Sequence, residues 1–95
     1  MYEERVVVRN ALGIHVRPAG LLVRQASLFR SDIFIGTERL MVNAKSIMGV
    51  LMLAAETGVE LTLRAEGPDE RAAVESLRAL IDSCFQGAES APGEG

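Results

Sequence analysis

His15 is the only histidine in the chain, and its neighbours are chemically specific. It follows the glycine break Asn10-Ala11-Leu12-Gly13 and precedes Pro18, a residue tolerated in a helix only within the first turn. A helix must therefore begin at about His15 or Val16. That puts an imidazole at a helix N-terminus, where unpaired backbone N–H groups and the positive end of the dipole favour an anion. The dipole also disfavours a protonated ring, which keeps a nitrogen lone pair free as a nucleophile. Arg17, two residues on, can fork onto an oxyanion. Gly13-Ile14-His15-Val16-Arg17-Pro18 thus contains what is needed to hold a phosphoryl group on a ring nitrogen. No general acid or base and no metal accompanies it, so the pattern is that of a carrier and not of a self-sufficient enzyme. The alternative is an ordinary capping or solvent-facing histidine.

The rest of the composition removes other chemistries. With one His, one Cys and no Trp, the chain lacks the clustered ligands of a zinc site, so no metal and no cofactor is expected. A lone Cys84 cannot form an internal disulfide. A net charge of −3, a pI near 5.1 and 4% aromatic residues argue against nucleic acid as a partner. No apolar run approaches the roughly 20 residues that span a bilayer. The N-terminus, MYEERVVV, is charged and strand-like, unlike a signal or transit peptide. A cytoplasmic protein with no membrane partner is the expectation, and 95 residues suit a single domain.

The net charge conceals an asymmetry. Arg5, Arg9, Arg17, Arg24 and Arg30 occupy a stretch from Arg5 to Ser31 without a carboxylate, and Arg39 and Lys45 lie in a second acid-free stretch up to Ala55. If the fold joins the two, a local positive field on an acidic body suits an anionic ligand or an acidic partner. The alternative is a chance clustering of solvated arginines.

The elements that must position these residues follow from periodicity. Tyr2 to Arg9 alternates, with Tyr2, Val6 and Val8 on one face, and reads as a half-buried strand. From Val16 to Phe29, Ala19, Leu22, Val23, Ala26 and Phe29 recur at helical spacing, with Arg17, Gly20, Arg24 and Ser27 on another face. Asp32–Ile35 and Leu40–Asn43 flank Gly36-Thr37-Glu38-Arg39 as a hairpin. Ser46 is an N-cap for a short helix from Ile47 to about Ala55, with Gly58 as its stop. Val59 to Glu66 alternates cleanly, with Val59, Leu61, Leu63 and Ala65 inward. Gly67-Pro68-Asp69 turns into an N-cap for a last helix, about Glu70 to Phe85, with Val74, Leu77, Ile81 and Cys84 as its core stripe. Residues 86–95 lack bulky apolar side chains and read as a disordered tail. The order β-α-β-β-α-β-α implies an α+β architecture, an antiparallel sheet with helices on one face.

Two segments carry a family resemblance. Gly13-Ile14-His15-Val16-Arg17-Pro18-Ala19 resembles the active-site motif of HPr, the histidine-containing phosphocarrier family of the bacterial phosphotransferase system. Asn43-Ala44-Lys45-Ser46-Ile47-Met48-Gly49-Val50-Leu51 resembles that family's regulatory serine region, and the two lie at the family's separation. The resemblance covers residues 1–85 and implies an open-faced β-sandwich with a four-stranded antiparallel sheet and three helices on one face. It implies that His15 accepts a phosphoryl group on Nδ1 from enzyme I, itself charged by phosphoenolpyruvate, and gives it to IIA domains of sugar permeases. Arg17 would then be the charge partner, and the Val16 and Arg17 amides part of the phosphate cradle. No turnover of a small-molecule substrate is implied.

The second segment has its own logic. Ile47 to Leu53 is apolar all round, more than one buried face can use, so Met48 and some of Ile47, Leu51 and Met52 are expected at the surface. The alternative is a deeply buried helix. The resemblance makes such a patch the docking surface for enzyme I and IIA domains, with Arg24 on its basic rim. Ser46 resembles the serine modified by HPr kinase/phosphorylase. A phosphate there is tolerated at a helix N-terminus yet places negative charge within the docking patch. Val16 departs from the family's usual alanine. Gly20 is unusual inside a helix, costing about 1 kcal/mol relative to alanine, and suits close approach of a docked partner. Three other readings stand beside the sugar-system carrier. They are a regulatory, nitrogen-branch paralogue, a small acylphosphatase-like hydrolase that needs no histidine, and a pure interaction module. Nothing in the sequence asks for an oligomer, so a monomer is expected.

Overall fold

A computed structural model describes residues 1–9, 14, 16–53 and 57–85. The elements run β1 (Tyr2–Val7), α1 (Val16–Ala26), β2 (Asp32–Gly36), β3 (Met41–Asn43), α2 (Ile47–Leu53), β4 (Glu60–Glu66) and α3 (Glu70–Asp82). The four strands form one antiparallel sheet in the order β1-β4-β2-β3. Three helices cover one face and leave the other open, the expected open-faced β-sandwich.

Register explains why these strands pair. Val6 faces Leu61, Ile35 faces Leu63 and Ile33 faces Ala65, so the apolar alternation of three strands falls on the same side of the sheet. All six are buried, and they meet Ala19, Leu22 and Ala26 from α1, Val50 from α2 and Val74, Leu77 and Ile81 from α3. On the open face Glu3 pairs with Arg64, with Arg64 Nε 3.2 Å from the Glu3 carboxylate. That exposed pair is worth only a few tenths of a kcal/mol up to about 1. The sheet is held by its buried side.

The ends of the elements differ from the expectations in physically readable ways. α1 stops at Ala26 instead of Phe29, because the chain tightens into three-residue turns: Leu28 N–H donates to Gln25 O and Phe29 N–H to Ala26 O. Phe29 still packs against the core, which is why its spacing looked helical. β1 ends at Val7, although Val8 continues the ladder by donating to Val59 O and accepting from Gly58 N. Gly58 does so at φ 89°, a conformation that favours glycine. β3 begins at Met41 and β4 at Glu60, one residue later than expected for each. Described helix α2 reaches Leu53, and its expected extension to Ala55 lies outside the described residues, as does the tail 86–95.

The largest correction concerns the end of α3. The helix ends at Asp82, and Cys84 and Phe85 adopt φ 58° and 64°. Phe85 N–H donates to Leu80 O and Cys84 N–H to Ile81 O, the paired bonds of a Schellman motif. The reversal drops Phe85 into the core, fully buried, while Cys84 is only half-buried. Phe85, and not Cys84, completes the core stripe.

Asp69 also acts differently from the expected cap. Its side chain makes no cap bond to α3. Its carboxylate instead accepts from the backbone N–H groups of Arg30 and Ser31, each at 2.9 Å, and from Ser31 Oγ at 2.5 Å. Ser31 is the one buried polar residue of the described chain, and this clamp satisfies it. The N-terminus of α3 is closed by Glu70, whose carboxylate accepts from Gly67 N–H at 3.0 Å.

Candidate functional site

The site is assembled around the start of α1. His15 itself lies outside the described residues. Ile14 is buried in the core, Val16 opens α1 and is 71% exposed, and Pro18 is buried in the first turn. The proline therefore stands where its missing N–H costs nothing. Arg17 is exposed one residue into the helix. Val16 and Arg17 stand in the first turn of α1, the end of the helix that carries the positive pole of its dipole.

α2 packs against α1, and its N-terminus is fixed from three directions. Asn43 Oδ1 accepts from Lys45 N–H at 2.8 Å, and Asn43 O accepts from Ser46 N–H at 3.0 Å. Ser46 Oγ accepts from Gly49 N–H at 3.1 Å, the N-cap bond expected of it. Ser46 is half-buried. The sequence gives Lys45 a charge and a place in the serine-region motif but no structural contact, and its ammonium donates to Phe29 O at 2.8 Å, tying α2 to the chain just beyond α1. A lysine preceding a capping serine carries no spacing signal for a contact sixteen residues away.

α2 is not deeply buried. Only Val50 among its residues is buried, while Met48 and Met52 are each 67% exposed and Ile47 is 40% exposed. Leu51 is half-buried and packs on the core, so it belongs to the exposed patch less than its neighbours do. Two exposed methionines and an isoleucine thus sit on a helix packed beside α1, whose Arg24 and Gly20 are exposed and half-buried respectively. An apolar surface next to a basic one is a shape for meeting an acidic protein.

These features define a small carrier-type domain, an open-faced β-sandwich with a helix start and an adaptable apolar helix side by side. The chain belongs to the PTS HPr component family, whose model, described as the PTS HPr component phosphorylation site, matches residues 2–83. It is 46% identical over 86 residues to the phosphocarrier protein HPr of Treponema pallidum, covering 90% of this chain and 98% of that one. A solved structure of HPr-C-His from Thermoanaerobacter tengcongensis superposes with a TM-score of 0.87 at 43% identity, covering 90% of this chain and 97% of its own. The Bacillus subtilis catabolite repression protein Crh, solved as a domain-swapped dimer, is 45% identical with a TM-score of 0.71, covering 88% of this chain and 97% of its own. HPr is a phosphocarrier and does not turn over a small-molecule substrate, which sets aside the acylphosphatase-like reading. No helix among the described residues is long and apolar enough to cross a membrane.

Proposed function

We propose that this chain is a cytoplasmic, monomeric phosphocarrier in sugar uptake, with His15 as the residue that is charged and discharged. A ring nitrogen of His15 attacks the phosphorus held by phospho-enzyme I. A new N–P bond forms as the donor's bond breaks, and the pair of electrons leaves with the donor. The reverse geometry delivers the group to an IIA domain. Arg17 balances the phosphoryl charge, and the Val16 and Arg17 amides complete its cradle. Arg24, Ile47, Met48, Leu51 and Met52 form the surface on which donor and acceptor dock in turn. The observation that carries the reading is membership of the HPr family together with a single histidine placed one residue before a proline-marked helix start.

Ser46 serves in this proposal as a switch. Its hydroxyl caps α2 beside the exposed methionines, so a phosphate added by HPr kinase/phosphorylase keeps the helix and repels an acidic partner. A regulatory role is the second reading, favoured by the 45% identity to a catabolite repression protein, and a nitrogen-branch paralogue is one form that such a role can take.

The test charges the protein with labelled phosphoenolpyruvate and a purified enzyme I, then adds a sugar-permease IIA domain or a nitrogen-branch IIA protein. Acid-labile, alkali-stable label that vanishes in His15→Ala and weakens in Arg17→Ala supports the carrier. Onward passage only to the nitrogen-branch acceptor selects the regulatory reading. Acid-stable label, or none, rejects both.

A further inference from the structure

The peptide unit that joins Phe29 to Arg30 is held at both ends by charge. The Lys45 ammonium donates to its carbonyl, Phe29 O, at 2.8 Å. The Asp69 carboxylate accepts from its amide, Arg30 N–H, at 2.9 Å. A cation on the negative end of the peptide dipole and an anion on the positive end polarise it in the same sense, so each bond strengthens the other. Three helices meet at this unit. Phe29 and Arg30 lie just beyond α1, Lys45 stands two residues before α2, and Asp69 directly precedes α3.

The carbonyl that Lys45 grips is a fixed point of the fold. Asp69 also accepts from Ser31 N–H and Ser31 Oγ, and Phe29 packs against the core. On the other side, Lys45 adjoins Ser46, whose hydroxyl accepts from Gly49 N–H at 3.1 Å. The bonds from Lys45 N–H and Ser46 N–H to Asn43 shape this turn from within. Ala44 N–H anchors it to Ile33 O on β2, and the Lys45 side chain anchors it to the exit of α1. A turn held at one point can swing about it; held at two, it presents Ser46 in one direction.

We infer that Lys45 is a positioning residue for the modification of Ser46, and that it acts through the Phe29–Arg30 peptide, which Asp69 polarises from the far side. The inference deepens the Ser46 switch and rests on it. In that reaction Ser46 Oγ bonds to the γ-phosphorus of ATP as the bond to the departing ADP breaks, and the hydroxyl proton passes to a base of the kinase. The attack needs the oxygen in line with the breaking bond, so a small swing of the turn costs rate.

The test measures phosphorylation of Ser46 in the full chain by HPr kinase/phosphorylase with ATP, at a temperature where circular dichroism shows every variant folded. Lys45→Met keeps an unbranched side chain and removes the charge. It should lower kcat about tenfold with KM held within about twofold, because the hydroxyl is misplaced and not unbound. Lys45→Arg, which keeps a donor for Phe29 O, should recover kcat to within about threefold of the parent. Asp69→Asn should lower kcat about threefold, although its side chain bonds to the bend after α1 and not to α2. Val74→Ala, which opens space in the core away from the peptide, should leave both constants within about twofold. A parental kcat in Lys45→Met overturns the inference. So does a parental kcat in Asp69→Asn, which would make Lys45 a direct contact of the kinase. An equal fall in Val74→Ala overturns it as well, because general loosening would then suffice. A parent chain that takes no phosphate on Ser46 overturns the Ser46 switch and this inference with it, so the parent alone tells the two failures apart.

Discussion

At the scale of single residues, the scaffold depends on a few positions where a substitution is costly. Gly36 ends β2 against the turn back to β3, with Leu40 O and Met41 Cα where a side chain would begin. Gly36→Ala should cost about 2 kcal/mol or more, since backbone must move to admit one methyl group. Urea unfolding checks this, and an unaltered midpoint would show that the hairpin yields freely. Asp69 is the second such residue. Hydrogen bonds from Ser31 Oγ and then from the Arg30 and Ser31 amides hold its carboxyl down at about 2. Glu4 is lowered by the Tyr2 hydroxyl and Arg78, and Glu70 by Gly67 N–H and the terminal amine. Groups depressed in the folded state bind protons more readily when unfolded. Their stabilisation is complete above the unfolded value near 4 and is lost as pH falls through the folded values. Stability should therefore drop between about pH 4 and pH 2, with a shallower slope for Asp69→Asn. An equal slope in that variant would mean the Ser31 clamp contributes nothing to folding.

At the scale of elements, α2 is the one on which the proposed Ser46 switch rests. Ser46→Ala removes the bond to Gly49 N–H and should cost about 1 kcal/mol. Ser46→Asp keeps a competent cap while adding charge, so it should leave the melting temperature close to the parent and slow charging by enzyme I. Charging at the parental rate would remove Ser46 from the account. The elements also show what periodicity can and cannot convey. The strict alternation of Glu60 to Glu66 and the Pro18-marked start of α1 are local signals, and both lie where the sequence put them. The end of α3 is not local. A left-handed C-terminal turn usually announces itself by glycine, but Cys84 occupies that position, so the apolar pattern ran on through the reversal. Phe85 is paid for by its burial, a tertiary effect invisible to helical spacing. Asp69 misled for a related reason: a carboxylate before a helix fits a cap, and its true partner, Ser31, lies 38 residues away.

At the scale of the whole molecule, the sheet order β1-β4-β2-β3 and the placement of the helices were legible as an α+β class from element order, and as an open-faced sandwich only through the family resemblance. Of the site, the sequence supplied the α1 start, the Ser46 cap and the exposed Met48 and Met52. It could not supply the Lys45 contact, which arises from how the start of α2 meets the chain just beyond α1. The charge asymmetry yields a prediction at this scale. The exposed Arg17 and Arg24 stand in a stretch without carboxylates, so partner docking should weaken with salt as screening shortens to about 8 Å near 0.15 M. KM for enzyme I should rise several-fold from low to moderate ionic strength, and a flat dependence would leave the arginines as solvated ornament. The most direct measurement is phosphorus NMR of the protein after charging by phosphoenolpyruvate and enzyme I. A single phosphoramidate resonance, absent from His15→Ala, is the expected result; a phosphate-monoester resonance, or no protein-bound phosphorus at all, would contradict the account.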